Sequence, residues 1–375
     1  MAASWIVTGR VARLDKRAPR RYHVSLFTRK PMNQPARIER VHPLAGIPDG
    51  EVIIDCAGIS RDGATLLSVW FGDEKAHVVA AGRDRALVLI PNNDYGDIEI
   101  SIGYGEEQGP TSESVRLMVG KELAGGLHPV ANPAFDPADG ALFVARSGSR
   151  GEHVPVSLFR VDATGHVAEF SGDITNPTGI AFDRDGQMFV TSRLEGSVYR
   201  VTSLKEVLVF ASDLGIATDL AFSRDGEMFV GDRSGTIFRV NEIGEAKPWV
   251  ELEPSVSAYH LAFGLDDALY VTGPTVSGFD VVTRIDEDGT DSVFFRGLGR
   301  PQGLAFDRDG NLYVAASLHG RRGIVRISPD GSEAELAVAG MNLVGLAFSA
   351  KGEMVIATND AVYSLPLGTH GALLG

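Results

Sequence analysis

The feature that most constrains this fold is a repeat of about 40 residues that runs from Ala131 to the C-terminus. Its clearest copy reads PQGLAFDRDGNLYV, from Pro301 to Val314. Six copies align on a phenylalanine preceded by alanine, and successive phenylalanines are 47, 40, 41, 43 and 42 residues apart. A period near 40 with several short strands per copy is typical of a radial array of four-stranded blades. The six phenylalanines are Phe135, Phe182, Phe222, Phe263, Phe306 and Phe348.

Each copy has the residues of an antiparallel sheet. An apolar strand such as Gly303 to Phe306 leads into an Asp-Gly turn, Asp309-Gly310, and a second strand follows at Leu312 to Ala315. This pattern predicts a hairpin. Third and fourth strands follow, as at Val198 to Val201 and Val207 to Phe210. The sequence therefore predicts an all-β fold with a six-bladed propeller over residues 120–375.

The ends of the repeat array indicate how the ring closes. The last copy stops after its third strand, Ala361 to Leu365, so it lacks an outer strand. Met118 to Leu123, just before the first copy, stands where a fourth strand stands in the other copies. We predict that this segment pairs with the last blade, because such pairing removes two exposed sheet edges.

The repeat also resembles known propeller families. The residues that carry the resemblance are Pro177 to Asp183 with Asp185-Gly186, and Pro301 to Asp307 with Asp309-Gly310. On these residues the chain from Gly120 onward resembles the NHL-repeat propellers and, more loosely, the senescence-marker-protein/gluconolactonase superfamily. The resemblance implies the scaffold but not the activity, because one scaffold hosts many functions.

Residues 35–119 alternate strand-like runs with turn residues, as in a small sandwich. Seven strands are predicted: Arg37 to Val41, Glu51 to Cys56, Leu66 to Phe71, Ala76 to Ala80, Ala86 to Ile90, Asp97 to Ile102 and Ser114 to Val119. The order of Ile38, Val41 and Pro43 before Gly46, followed by Val69 to Gly72 and Leu89 to Pro91, resembles the immunoglobulin-like IPT/TIG family. That resemblance implies a spacer or binding module, and we expect a spacer.

Charge and composition limit the partners. The formal charge is -14, yet residues 1–34 hold eight Arg or Lys against one Asp, so the remainder carries about -21 by subtraction. An acidic body argues against nucleic acid as a partner. Cys56 is the single cysteine, so no intramolecular disulfide is possible. We expect residues 1–34 to be a basic, disordered tail, and we expect a soluble, cytoplasmic protein with neither an export signal nor a membrane span.

Candidate site residues lie where the inner strands of the blades begin. Three residues before the anchor phenylalanine, three copies have glycine and the others have Asn132, Asp219 and His260. One position earlier lie Thr178, Thr218, Tyr259 and Gln302. This ring of donors and acceptors around a central mouth suits a small polar ligand.

Asp219 and His260 are the candidate catalytic residues within this ring. They belong to adjacent blades, so they could act as a general-base pair. The alternative is that they satisfy backbone groups at the rim of the ring.

The lactonase resemblance implies a divalent metal held by Glu, Asn and Asp at the starts of inner strands. The residues at those places are Thr178, Thr218, Tyr259 and Gln302, which are neutral, while Asn132 and Asp219 are displaced by one residue. Hard cations prefer charged oxygen ligands. We therefore expect no cofactor, with a divalent metal near His260 as the alternative.

Arginines in the loops between second and third strands, including Arg146, Arg193 and Arg233, face the same mouth, whereas the Asp-Gly turns face the other side. This asymmetry favours an anionic ligand or partner. A second set recurs at one position of the third strand, for which we predict pairing with turn carboxylates: Arg160, Arg200, Arg239, Arg284 and Arg326.

No nucleophile motif, phosphate-binding loop or metal-spaced His/Cys cluster is found. The sequence favours a non-catalytic propeller that recognises a small polar or anionic ligand, or a protein partner, on its mouth face. The alternative is a lactonase-like hydrolase that uses Asp219 and His260, with or without a divalent metal. A third interpretation, RNA recognition by the arginine-bearing face, is weakened by the net acidity of the chain.

Overall fold

The computed structural model of the chain describes residues 37–58, 67–92, 94–104, 115–149, 151–276 and 280–372. All regular secondary structure in these ranges is β-strand, which confirms the predicted all-β class. The predicted basic tail over residues 1–34 lies outside the described residues. None of the described residues forms a helix long and apolar enough to span a membrane.

Six blades of four strands each, counted over the described residues, form the propeller. Four of them are separate sheets, whereas blades 4 and 5 are joined in one larger sheet that also contains strands of the N-terminal part. Blade 1 comprises Ala134–Phe135, Leu142–Ala145, Leu158–Val161 and Val167–Ser171. Blade 2 comprises Pro177–Phe182, Met188–Ser192, Ser197–Val201 and Val207–Ala211. Blade 3 comprises Ala217–Phe222, Met228–Asp232, Thr236–Val240 and Ala246–Glu251. Each strand pairs antiparallel with the next one in sequence.

The other three blades continue the ring in chain order. Blade 4 comprises His260–Phe263, Leu269–Thr272, Asp280–Ile285 and Asp291–Gly299. Blade 5 comprises Leu304–Phe306, Leu312–Leu318, Arg321–Ile327 and Ala334–Ala339. Blade 6 comprises Leu343–Phe348, Met354–Thr358 and Val362–Leu365, with Lys121–Ala124 as its outer strand.

That outer strand of blade 6 closes the ring as predicted, because Lys121 pairs with Ser364 and Glu122 with Tyr363. The predicted bounds, 118–123, were wrong at their N-terminal end. Met118 belongs instead to the strand Val115–Val119, where it pairs with Asp97 in the N-terminal part of the chain. Only Gly120 separates this strand from the closing strand Lys121–Ala124. The pattern of apolar residues cannot distinguish two strands that lie so close together in sequence.

The anchor phenylalanines hold neighbouring blades together. Phe222 packs edge-to-face on Phe189 of the preceding blade, with ring centroids 5.4 Å apart, and Phe306 packs in the same way on Tyr270 at 4.8 Å. The same contact joins Phe182 to Phe143, Phe263 to Phe229 and Phe348 to Tyr313. This confirms that these rings fill the layer between blades, where edge-to-face aromatic packing is favourable.

The N-terminal part consists of two sheets that share one hydrophobic core. One sheet contains Arg37–His42, Glu51–Ala57, Arg85–Leu89 and His77–Ala81. The other contains Ala45–Gly46, Val115–Val119, Gly96–Tyr104, Leu67–Phe71 and Glu74–Lys75. All seven predicted strands are present, and Ile54, Val69 and Leu117 are fully buried between the sheets. The assignment to the IPT/TIG family stays a prediction.

Backbone hydrogen bonds join this sandwich to blade 5. Ala45–Gly46 runs parallel to both the strand Val115–Val119 and the outer strand Ala334–Ala339, so one sheet continues from sandwich to propeller. Arg321 of blade 5 donates to the carbonyl oxygens of His42 at 3.3 Å and Glu51 at 2.6 Å. A continuous sheet with a partly buried, hydrogen-bonded arginine across the joint is a rigid connection rather than a flexible linker.

Arg321→Gln is expected to destabilise the protein by about 2 kcal/mol, because hydrogen bonds to a charged group are worth about 1.5–3 kcal/mol. Urea unfolding followed by tryptophan fluorescence measures the change. Arg322→Gln is the matched control, since Arg322 is exposed and lies beside Arg321. Equal unfolding midpoints for the two variants would contradict a structural role for Arg321 at this joint.

Candidate functional site

A cavity of about 630 Å³ opens on the face where the inner strands begin, which is the predicted mouth face. Three arginines line it: Arg193 of blade 2, Arg300 before blade 5, and Arg322 of blade 5. No aspartate or glutamate lines this mouth cavity. Its other polar side chains are those of Ser257, Gln302, Ser317, Asn342 and Asn359. The mouth cavity is therefore positively charged and rich in neutral hydrogen-bonding groups.

Arg193 is held in place without neutralisation of its charge. Its guanidinium donates to the carbonyl oxygen of Gly148 at 3.2 Å, and the side chain is partly buried. Burial, with a smaller contribution from the charge of Arg233, lowers the pKa of Arg193. Within the described ranges, no carboxylate forms an ion pair with Arg193, Arg233, Arg300 or Arg322. A cation in this environment is stabilised by an anion that enters from solvent.

The loop that presents Arg300 is fixed by a buried aspartate. Asp280 is 3% exposed and accepts hydrogen bonds from the backbone amide nitrogens of Thr275 at 2.8 Å and Arg300 at 3.0 Å. Arg300 itself has a φ of 48°, a left-handed conformation that the aspartate bond supports. The carboxylate of Asp280 thus binds backbone amides, and no carboxylate of the described residues forms an ion pair with the guanidinium of Arg300.

Asn132, Asp219 and His260 do not line the mouth cavity. The side chain of Asn132 donates to the carbonyl oxygen of Leu304 and accepts from the backbone nitrogen of Leu346, both at 3.0 Å. Asp219 accepts from the backbone nitrogens of Leu220 at 2.9 Å and Leu261 at 3.0 Å. Both side chains tie inner strands together around the axis. The alternative in which Asp219 and His260 satisfy backbone groups thus holds for Asp219 but not for His260, whose ring nitrogens form no hydrogen bond of ordinary geometry with the described residues.

The glycines at the equivalent positions leave the room that these side chains occupy. A Cβ atom on Gly303 would lie 1.9 Å from Oδ1 of Asn132, and one on Gly179 would lie 2.2 Å from Oδ1 of Asp219. A second cavity, of about 280 Å³, lies along the inner strands and contains Asn132, Asp219 and the anchor-strand alanines in its wall. The two cavities share no lining residue. The polar and glycine positions thus form a packed layer across the axis between them.

Asp219 and His260 are neighbours but are not hydrogen bonded. Nδ1 of His260 lies 3.7 Å from Oδ2 of Asp219, and the histidine side chain is 0% exposed. Burial raises the pKa of Asp219 to about 7 and lowers the pKa of His260 to about 4. Gln302 partly offsets the shift of the histidine pKa, although no hydrogen bond of ordinary geometry joins the two side chains. At neutral pH His260 is uncharged, so the pair is not an ion pair.

The buried hydroxyl groups of the predicted ring bond within the protein. Oγ1 of Thr178 lies 2.8 Å from Oγ1 of Thr191. Thr218 accepts from the backbone nitrogen of Tyr259 at 3.1 Å, and the hydroxyl of Tyr259 donates to the carbonyl oxygen of Glu253. These contacts link strands and blades, and none of the three predicted residues lines the mouth cavity.

Two predicted site residues, Arg193 and Gln302, line the mouth cavity, and the charge of a third, Arg233, acts on Arg193. Arg146 does not line it and forms a backbone bridge with Pro129. Sequence reasoning gave no site role to Arg300, Ser317, Asn342 or Asn359. The sequence position of Arg300 could have indicated a site role, because Arg300 immediately precedes Pro301, where a repeat copy and its inner strand begin.

Four of the five recurring third-strand arginines pair with carboxylates. Arg160, Arg239 and Arg284 pair with residues at turns, as predicted, whereas Arg326 pairs with a residue of the neighbouring strand. Arg160 contacts Asp139 at 2.5 Å, Arg284 contacts Asp286 at 2.6 Å, and Arg326 contacts Glu335 at 3.2 Å. Arg239 pairs with Glu227 in the same way. Four of the five arginines thus have a structural role, and they are separate from the arginines at the mouth.

No group of three or more His, Cys, Asp or Glu side chains within the described residues could hold a metal ion. Cys56 is buried, and burial is the largest cause that raises the pKa of its thiol to about 12. The candidate site is therefore the mouth cavity with its arginines, amides and hydroxyls.

No model of a known protein family matches the chain. No curated protein matches it either. Solved structures do. A gluconolactonase from Xanthomonas campestris is 17% identical, with a TM-score of 0.53, over 65% of this chain and 88% of that protein. An auxiliary nutrient binding protein from Bacteroides thetaiotaomicron is 14% identical, with a TM-score of 0.51, over 89% of this chain and 98% of that protein.

A virginiamycin B lyase from Staphylococcus aureus is 13% identical, with a TM-score of 0.50, over 80% of this chain and 98% of that protein. At these identities the likeness shows the fold alone. A gluconolactonase, a nutrient binding protein and a virginiamycin B lyase share it, so the fold does not determine the function and the side chains of the site have to. The NHL assignment remains a prediction.

Proposed function

We propose that this protein binds a small, polar, anionic ligand in the mouth cavity. The observation that carries the proposal is the set of three arginines, Arg193, Arg300 and Arg322, around a cavity of about 630 Å³ whose wall contains no carboxylate. Cavities of roughly 300–1,000 Å³ suit small-molecule ligands. The planar guanidinium group matches the geometry of carboxylate and phosphate and binds them through paired hydrogen bonds.

Two carboxylates near the mouth are engaged in hydrogen bonds to the backbone, which supports this proposal. The body of the protein is strongly acidic, yet two aspartates near the mouth, Asp232 and Asp280, are buried and accept hydrogen bonds from the backbone nitrogens of Ile216 and Arg300. Uncompensated cations in an acidic protein produce a local positive potential at the mouth. Such a potential attracts an anion to this one face.

The likeness to the nutrient binding protein gives further support at the level of architecture. That match covers 89% of this chain, which is more than the propeller occupies, so it includes much of the N-terminal sandwich. In the proposed function the sandwich is a rigid spacer that fixes the orientation of the mouth.

Arg193→Gln and Arg322→Gln are each expected to weaken binding of a carboxylate or phosphate ligand at least tenfold, because each removes a charge-assisted hydrogen-bond donor. Isothermal titration calorimetry against a panel of organic acids and sugar phosphates measures this. Raising the salt concentration should weaken binding further, since ions screen exposed charges.

Arg308→Gln is the matched control for this prediction. Arg308 is exposed and carries the same charge, but it lies next to an Asp-Gly turn and does not line the mouth cavity. Its loss should leave binding within twofold of the native protein. Equal losses in all three variants would show a general charge effect and would contradict the proposed site.

A lactonase-like hydrolase is the second candidate, and the raised pKa of Asp219, about 7, is the observation that favours it. Asp219 is 3% exposed and has both carboxylate oxygens bonded to backbone nitrogens, which argues against contact with substrate. Lactone hydrolysis by the native protein, abolished in a folded Asp219→Asn variant, would support the hydrolase. Absence of turnover across a panel of lactones would exclude it.

A further inference from the structure

We infer that the ligand of the mouth cavity carries two separated anionic groups, one at each end of a polar body. This inference rests on the proposed function and specifies the chemical class of its ligand. It follows from where the three arginines stand in the ring rather than from their number.

The blades follow one another around the axis in chain order, because each anchor phenylalanine of blades 2 to 6 packs on an aromatic ring of the preceding blade. In a closed ring of six, blade 2 and blade 5 are three steps apart in either direction. They therefore stand opposite each other. Arg193 lies in the loop after the second strand of blade 2, whereas Arg300 and Arg322 belong to blade 5 and the loop that leads into it.

The positive charge of the mouth cavity is thus divided between two opposite walls. A hydrogen bond from guanidinium to carboxylate spans only about 2.7–2.9 Å between heavy atoms, so we infer that a separate anionic group binds the arginines of each wall. A ligand with one anionic group would leave one wall without a counter-charge. A ligand with an anionic group at each end would engage both walls at once.

The rest of the lining carries no charge and contains several polar side chains. Gln302 and Ser317 from blade 5, and Asn342 and Asn359 from blade 6, contribute amides and a hydroxyl to the lining. Amides and hydroxyls both donate and accept hydrogen bonds. They are suited to hydroxyl groups on the body of a ligand, whereas an apolar chain would leave them unpaired, which is unfavourable. The geometry therefore favours a hydroxylated dianion, either a sugar diacid or a sugar bisphosphate.

The test compares ligands that differ only in the number of anionic groups. Glucarate, gluconate and glucitol share a six-carbon polyol body and carry two, one and no carboxylates. Fructose 1,6-bisphosphate and fructose 6-phosphate form the matched pair for phosphate. Titration calorimetry on the full chain is expected to show at least tenfold tighter binding of the dianion than of the monoanion in one of these two series.

Variants on opposite walls locate the two anionic groups. Arg193→Gln and Arg322→Gln are each expected to weaken the dianion at least tenfold. In the native protein the dianion uses both walls, so either variant should reduce its affinity to about that of the monoanion. Arg308→Gln serves as the control, and circular dichroism with a thermal melt verifies that each variant is folded.

The outcomes separate this inference from the proposed function on which it rests. Equal affinity for glucarate and gluconate and also for the two fructose phosphates, with dependence on only one arginine, would overturn the two-anion inference and leave an anion-binding mouth. Binding unaffected by either arginine variant would overturn both, since the ligand would then lie elsewhere. No binding in either series would also overturn both.

Discussion

Replacement of Gly303 by alanine is expected to destabilise the propeller by about 3 kcal/mol, at the upper end of the range for overpacked cores. The new Cβ atom would lie 1.9 Å from Oδ1 of Asn132 and 2.7 Å from the Cα atom of Gly345. One neighbour is a side chain with two hydrogen bonds to other blades, and the other is backbone. Neither can move without disturbing several inner strands. Urea unfolding of the purified variant measures the loss.

Two companion variants test the cause. Gly82→Ala is the control, because its Cβ atom would lie 3.5 Å from the nearest atom, a backbone oxygen of Arg85, which is an ordinary contact. It should change the free energy of unfolding little. Asn132→Ala removes the clashing oxygen, so the double variant with Gly303→Ala should be more stable than the sum of the single effects predicts, by about 1 kcal/mol. Strict additivity would refute the packed layer across the axis.

The stability of Asp219→Asn and of His260→Gln, each taken relative to the native protein, is expected to change with pH in opposite directions. Burial raises the pKa of Asp219 to about 7, so the stability that its protonated form contributes is present at low pH and is lost as the pH rises from about 4 to 7. Burial lowers the pKa of His260 to about 4, so its contribution is present above pH 6.5 and is lost as the pH falls towards 4.

In the native protein these two slopes oppose each other between about pH 4 and 6.5 and largely cancel. His260→Gln should leave the Asp219 slope, so stability relative to the native protein falls as the pH rises through this window. Asp219→Asn should leave the His260 slope, with relative stability falling as the pH drops. The size of each change is on the order of 3 kcal/mol, from about 1.4 kcal/mol for each unit of pKa.

Urea midpoints at half-unit pH intervals from 4 to 7.5 measure the effect. Each single variant retains its shift because burial is the largest cause of both, and neither residue is among the causes of the other's shift. Titration of groups elsewhere is common to all three proteins and cancels in the differences. Parallel profiles for the native protein and both variants would show that Asp219 and His260 have ordinary pKa values in the fold.

Much of the architecture could be predicted from sequence because it depends on short-range patterns that repeat. The Ala-Phe pair and the Asp-Gly turn recur in register, so errors in one copy are corrected by the others. The bounds of the closing strand could not be predicted as well. Val115–Val119 and Lys121–Ala124 are consecutive strands separated by Gly120, and only their partners, Gly96–Tyr104 and Val362–Leu365, distinguish them.

The candidate site was harder to predict than the fold. Position in the repeat places Asn132, Gly179, Asp219, His260, Gly303 and Gly345 at equivalent points around the axis. It does not say whether polar side chains there face a solvent-filled mouth or fill the space beside glycines of other blades. In the structure the side chains of Asn132 and Asp219 occupy the space beside glycines of other blades. The mouth cavity is lined instead by loops such as those of Arg300 and Asn342.

By itself, then, the sequence determined the number of blades, the residues that pack between them and the arginine-rich face, since each follows from periodicity and from local turn chemistry. The tertiary structure decided which of the polar residues are buried, which carboxylates accept hydrogen bonds from backbone amides, and which arginines line the same cavity. Those properties depend on distances between residues far apart in the chain. Loop lengths around the ring set these distances, and no local pattern encodes them.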